Sequence, residues 1–288
     1  MKLGVVFPQT EIGDNPDLIA SFATTAESLG YDHIIAYDHV LGAGTASRPD
    51  WRGPYTSESM FHEPLVLFGY LAGLTSSIEL VTAVIILPQR QTVLVAKQAA
   101  CVDVLSGGRL RLGIGTGWNE VEYEGLNENF HDRGVRSEEQ IEVMRKLWAD
   151  EVINYQGNWH RITEAGLNPL PVDRHFPVWL GGMAPEVIER VGRIADGWFP
   201  FYNENLADQL KQVHKIAEAN GRKPSDIGIE VMTGLGEAGQ KQRDQLKRLA
   251  DMGVTHSAVV TMNHGLGKPE DHIDAIKRFR EATQSVAD

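Results

Sequence analysis

The stretch Ile78–Gln91, IELVTAVIILPQRQ, restricts the fold of this chain more than any other. Seven of the nine residues from Leu80 to Pro88 are apolar, and Val81, Val84, Ile85 and Ile86 are β-branched. A continuous apolar run this short, closed by a proline, reads as a strand covered on both faces. It then changes abruptly to Gln89-Arg90-Gln91, and a helical pattern follows. A strand that stops at polar residues before a helix is what a parallel βα unit presents at its functional end. Taken alone, the stretch fits a core strand with an ordinary polar loop equally well.

The rest of the chain repeats the unit. Strand-like runs at Leu3–Phe7, His33–Ala36, Leu80–Leu87, Arg109–Ile114, Val178–Leu180, Gly197–Pro200, Ile227–Met232 and Ser257–Thr261 alternate with helical patterns. The punctuation is regular: Asn15-Pro16 opens a helix that Gly30 stops, and Glu63-Pro64 opens the next. Eight such repeats predict a (β/α)8 barrel, with a doubly wound open sheet as the alternative of fewer strands. No linker or low-complexity tract divides the 288 residues, so one domain over 1–288 is expected. A polar loop over about 40–62 and a β-hairpin over about 152–162, turning at Gln156-Gly157-Asn158, read as insertions over the barrel mouth.

Composition narrows the function. The net charge of −12 and the lack of a basic run argue against nucleic acid as a partner. No apolar stretch reaches about 18 residues, so no membrane span is expected. The start of the chain runs directly into its first strand, which points to a cytoplasmic protein. The single cysteine, Cys101, lies among Ala99, Ala100 and Val102 and reads as a buried thiol rather than a nucleophile.

In a barrel the site lies at the C-terminal strand ends. Asp38-His39 ends the second strand, and a histidine there can give or take a proton near neutral pH. Gly181-Gly182-Met183-Ala184 joins a strand to a helix start. It reads either as a phosphate-binding turn or as a tight turn needing glycine for shape. Gly113, Gly115 and Gly117 lack the spacing of a dinucleotide fingerprint. They read either as backbone approaching a flat ligand or as glycines easing a crowded strand. His62-Glu63 and His131-Asp132 lack metal-ligand spacing, so no metal is expected, and Glu63 reads as a helix cap. No nucleophile elbow or phosphate loop of the NTPase kind occurs. Several of Trp51, Trp118, Trp159, Trp179, Trp198 and Phe199 fall near the expected mouth and suit a planar ligand.

These blocks together resemble the luciferase-like superfamily of flavin- and deazaflavin-dependent oxidoreductases. The likeness runs from LGVVFPQTE through AESLGYDHIIAYDHV and the SGGRLRLGIGTGWN run to ADGWFP, and is most similar to the coenzyme F420-dependent branch. The resemblance implies that Asp38 and His39 lie at the deazaflavin ring, with His39 as proton donor or acceptor. It implies that Thr82, Ala83, Val84 and Ile85 form a bulge backing the ring, with a cis peptide at Ala83–Val84. Gly115, Thr116, Gly117, Trp118 and Asn119 would border the ribityl chain, and Gly181, Gly182 and Met183 the phosphate. A homodimer acting on a small organic substrate is implied as well.

One position departs from the pattern. Some F420-dependent sugar-phosphate dehydrogenases carry a glutamate where this chain has Trp118, while Glu120 and Glu122 here read as the start of a helix. The expected activity is therefore hydride transfer between F420 and an organic substrate. The alternatives are an FMN-dependent monooxygenase supplied by a separate reductase, and a non-catalytic flavin-binding protein. Pocket character is expected to come from the 40–62 loop, the hairpin and the last strand ends, through Trp51, Tyr55, Phe61, His62, Met232 and Met262.

Overall fold

The computed structural model describes residues 1–236 and 239–283. Its centre is a closed barrel of eight parallel strands. These are β1 (Lys2–Val6), β2 (His33–Ala36), β3 (Glu79–Thr82) with its continuation β4 (Ile85–Ile86), β5 (Leu110–Gly115), β8 (Val178–Gly181), β9 (Gly197–Phe199), β10 (Gly228–Gly234) and β11 (His256–Val260). Neighbours run β3-β2-β1-β11-β10-β9-β8-β5, and β5 pairs back to β3 through Leu80↔Leu110 and Val81↔Arg111 to close the ring. The open-sheet alternative is thereby excluded.

Around it lie α1 (Pro16–Ser28), α2 (Pro64–Ala72), α3 (Thr92–Ser106), α4 (Glu120–Gly125), α5 (Arg133–Ala149), α6 (Pro185–Ile194), α7 (Leu206–Ala219), α8 (Gln240–Asp251) and α9 (Pro269–Thr283). Local chemistry sets their ends. Asn15 caps α1 by accepting from the Asp17 amide at 2.9 Å, Glu63 caps α2 through the Val66 amide at 2.7 Å, and Gly107 closes α3 at φ +71°.

Alternation along the strands sorts side chains into two buried faces. Leu3, Val5, Ile34, Leu80, Leu112, Val178, Val231 and Val259 point outward into the helix layer. Val6, Ile35, Val81, Trp179, Phe199 and Ala258 fill the barrel interior. Cys101 departs from expectation. Ala99 and Ala100 take the buried face of α3, which leaves the thiol half-buried.

The hairpin is β6 (Ile153–Gln156) with β7 (Arg161–Ala165), paired antiparallel as expected. Its position differs from expectation. The amides of Asn158, Trp159 and His160 all donate to the Glu139 carboxylate on α5, at 2.8, 2.9 and 2.9 Å. His160 Nδ1 meets the same carboxylate at 2.8 Å, and Nε2 lies 2.6 Å from Thr92 Oγ1. The tip is therefore pinned to the outer flank at α5 and the start of α3. Among the described residues no helix is long and apolar enough to cross a membrane.

Candidate active site

The barrel mouth has an apolar floor. Ala83, Phe199 and Met262 are buried there, and Tyr37, Val84, Met232 and Val260 pack against them half-buried. Of the four expected bulge residues, Ala83 and Val84 take this face. Thr82 turns outward, exchanging two 2.8 Å hydrogen bonds with the Gly113 backbone, and Ile85 joins the outer core. The Ala83–Val84 peptide is cis.

The glycine run answers to this floor. A Cβ at Gly113 would lie 1.9 Å from the Thr82 carbonyl oxygen, and one at Gly115 2.4 Å from a Val84 methyl. One at Gly117 would meet Ile86 at 2.7 Å, and one at Gly181 would meet Val84 at 2.7 Å. Such approaches admit no side chain, so these glycines make room for the interrupted strand. That is the crowded-strand reading, and it seats Val84 between β5 and β8.

His39 stands at the rim, three residues beyond β2. Its ring is held edge-on by Tyr55 and Phe61 of the 40–62 loop, with centroids 4.7 and 4.8 Å away, and by Trp118 at 5.9 Å. Trp51 packs on Trp118 at 5.7 Å. Burial pushes the Tyr55 phenol up, so it stays neutral over the usable pH range. His39 Nδ1 lies 3.1 Å from Glu122 Oε1, and the same oxygen accepts from the Val40 amide at 2.9 Å. Burial favours the neutral Glu122 carboxyl. The His39 hydrogen bond and charge, with Gln89 and the Val40 amide, outweigh it and hold the carboxyl below its ordinary value.

Beside His39 is a cavity of about 350 Å³, lined also by Gly42, Tyr55, Thr56, Ser57, Ser59, Phe61 and Asn119, with no lysine or arginine in its wall. A larger groove of about 670 Å³ lies on the outer flank between Thr92, Arg136 and Trp159. It includes neither His39 nor the Gly181 turn.

Asp38 sits beneath the rim with both oxygens engaged. It accepts from the Ile86 amide at 3.0 Å and from Arg90 at 2.8 and 3.3 Å, while Arg90 also reaches Glu63 at 2.9 Å. This clamp ties β2, the end of β4 and the cap of α2 together, and so fixes the backbone that carries His39. Thr116 lends its carbonyl to the Tyr123 hydroxyl at 2.6 Å, and Asn119 caps α4 through the Val121 amide at 3.2 Å. Gly182 adopts φ +126°, and its carbonyl accepts from Trp198 Nε1 at 2.8 Å. Met183 Sδ accepts from the Phe201 amide at 3.2 Å. No side chain caps α6, because its N-cap is Ala184.

Of the six aromatics singled out in the sequence, Trp118 reaches His39, and Trp51 packs behind Trp118. Phe199 is in the floor, Trp179 lies deeper in the barrel over Arg111, Trp198 is buried behind Gly182 and Trp159 lines the outer groove. Glu122 was hidden in the sequence for a physical reason. It is the third residue of α4 after Asn119, the place where a glutamate ordinarily completes a helix cap.

The model of the family described as luciferase-like monooxygenase matches residues 1–250. An F420-dependent glucose-6-phosphate dehydrogenase of Segniliparus rotundus is 32% identical over 232 residues, covering 74% of this chain and 62% of that protein. An FMNH(2)-dependent dimethylsulfone monooxygenase of Pseudomonas putida is 28% identical over 166 residues, covering 56% and 46% respectively. The solved structure of an F420-dependent secondary alcohol dehydrogenase superposes over 100% of this chain and 99% of its own, with a TM-score of 0.82 at 17% identity.

Proposed function

Since this chain belongs to the luciferase-like monooxygenase family, we propose that it is an oxidoreductase that binds coenzyme F420 at the barrel mouth and exchanges a hydride with a small organic substrate. The observation that carries this reading is His39, fixed at one ring nitrogen at the rim and bordering a cavity without lysine or arginine in its wall. The residues fit such a group. Val84 and Ala83 offer a flat apolar backing, and the uncapped start of α6 beyond Gly181-Gly182 suits an anionic end. When bound, the deazaflavin supplies or accepts the hydride. The chain's own part is to orient the ring on Val84, to exclude water with Tyr55, Phe61 and Trp118, and to hold a proton at His39.

The second reading, an FMN-dependent monooxygenase served by a separate reductase, draws support from the Pseudomonas putida relative. Titrating F420 and FMN separately into the purified chain, followed by fluorescence or calorimetry, separates the two. F420 is expected to bind tightly and FMN weakly. The reverse order moves the reading to oxygen chemistry, and binding of neither removes the cofactor assignment.

The helix layer supports a homodimer. Helix α2 has no charged residue, yet Val66 is 70% and Tyr70 43% exposed, and Leu94, Val104 and Leu105 of the adjoining α3 are exposed too. The chain is expected to sediment as a dimer at micromolar concentration, and the Val66→Glu/Leu105→Glu double variant as a monomer. A monomeric wild type would refute this assembly.

A further inference from the structure

Glu122 does more than begin a helix. We propose that Glu122 is the positioning residue of the site, accepting the Nδ1 proton of His39 and so leaving Nε2 as the nitrogen that faces the substrate. This rests on the acid–base role of His39 in the oxidoreductase reading, but its geometry can be tested without that role.

Three observations carry it. First, the carboxylate is committed to the histidine and to its own backbone. Glu122 Oε1 lies 3.1 Å from His39 Nδ1 and accepts the Val40 amide at 2.9 Å, so one oxygen fixes both ring and main chain. Asn119 caps the helix through the Val121 amide, and the Glu122 carboxylate is engaged with Val40 instead. Second, the Glu122 side chain is only 1% exposed and has no lysine or arginine partner among the described residues. Arg90, the residue after Gln89, is taken by Asp38 and Glu63. Gln89 adds only a long 3.4 Å contact. A buried carboxylate with few donors is costly, so it depends on the His39 N–H together with the Val40 amide.

Third, the other ring nitrogen is open. Among the described residues Nε2 has no hydrogen-bond partner and is not one of the enclosed polar atoms left unpaired, and His39 borders the 350 Å³ cavity. The rings of Tyr55, Phe61 and Trp118 press the imidazole from the sides, so it cannot turn over and exchange its nitrogens without losing them. With Nδ1–H bound to a carboxylate, the neutral ring presents a lone pair at Nε2 and the cationic ring an N–H there. Both directions of proton transfer then use one atom, Nε2, of a residue that borders the cavity. No lysine or arginine lines that cavity, so uncharged ketones and alcohols are the fitting probes.

The test reads the tautomer directly. The full chain, labelled with ¹⁵N-histidine and free of cofactor, is examined by NMR, with the His39 signals identified by their loss in His39→Asn. In the neutral ring the wild type is expected to carry the proton on Nδ1. Glu122→Gln, which keeps an acceptor oxygen and nearly the same shape, should retain that tautomer. Glu122→Leu should move the proton to Nε2. A wild type with the proton on Nε2, or a Leu variant with unchanged His39 signals, overturns the proposal. Oxidation of reduced F420 by acetone or cyclohexanone gives the second readout. Both variants should lose about 10- to 100-fold in kcat, the Leu variant more, with KM and F420 affinity unchanged. A merely structural Glu122 would weaken F420 binding and lower the melting point while leaving kcat of the bound enzyme intact, and that result also counts against the proposal. Failure of the wild type to bind F420 or FMN would defeat the functional reading alone, because the tautomer measurement needs neither.

Discussion

Replacing His39 by glutamine is expected to lower turnover by about 10²- to 10⁴-fold, the usual contribution of a positioned proton donor or acceptor, with cofactor affinity nearly unchanged. Glutamine is the informative substitution. Alanine would strip the buried Glu122 of its main donor and leave a gap between Tyr55, Phe61 and Trp118, so a loss of activity would mix chemistry with collapse of the rim. A glutamine amide can still donate to Glu122 and fill the cage, but it cannot transfer a proton. Affinity should survive because the surfaces assigned to the cofactor, the Val84 floor and the uncapped start of α6, lie on other strands. Single-turnover absorbance of the cofactor gives the rate, and a fluorescence titration gives the affinity. Equal loss of both would make His39 a binding residue. Unchanged turnover would end its assignment to proton transfer.

The parts of this molecule that follow from local chain chemistry were legible in the sequence. Apolar runs of strand length, with proline and glycine at the helix ends, were enough for the barrel, and the C-terminal rule then selected His39, Gly181 and the interrupted third strand. The parts that follow from contacts across the ring were not legible. Nothing near Gly157 tells that three hairpin amides will meet Glu139 on another element, so the hairpin was expected over the mouth and lies on the flank. Glu122 looked like a helix cap because Asn119 and Glu122 have that spacing, and only the fold brings it within 3.1 Å of a histidine 83 residues earlier. The glycine run was ambiguous for the same reason. What fills the space above Gly115 is Val84, 31 positions back by residue number, and no spacing rule shows it.

The polar cluster at the closed end of the barrel is the extreme case, and it leads to the largest expected loss of stability. Glu230, fully buried, meets His33 through one oxygen and Arg111 Nη1 through the other at 2.6 Å, partners 197 and 119 residues away. Arg111 continues to Glu79 at 3.0 Å through Nε and lies 4.3 Å over the Trp179 ring. All of these stand toward the N-terminal ends of their strands, below the apolar layer and opposite the mouth, where a barrel's polar residues serve stability. Burial alone would raise the Glu230 carboxyl, but the charges of His33 and Arg111 prevail and hold it down to about 2, against an ordinary 4.5. A carboxyl depressed in the folded state stabilises it fully above the unfolded value and loses that contribution as pH falls toward the folded one. The window is therefore pH 4.5 down to about 2, and its size, at 1.36 kcal/mol per unit, is about 3 kcal/mol. Glu230→Gln should lose a similar amount at neutral pH, about 3–5 kcal/mol, because Arg111 is left buried without its carboxylate. In a chain this long that lowers the melting midpoint by roughly 10 °C. Arg111→Met should cost comparably, while the double variant Glu230→Leu/Arg111→Met should be less destabilised than the two singles added, since it removes both charges from the interior. Thermal and urea unfolding between pH 3 and 8 decides the matter. Additive losses, or a Glu230→Gln variant as acid-sensitive as the wild type below pH 4.5, would show that the stability of the closed end does not depend on this ion pair.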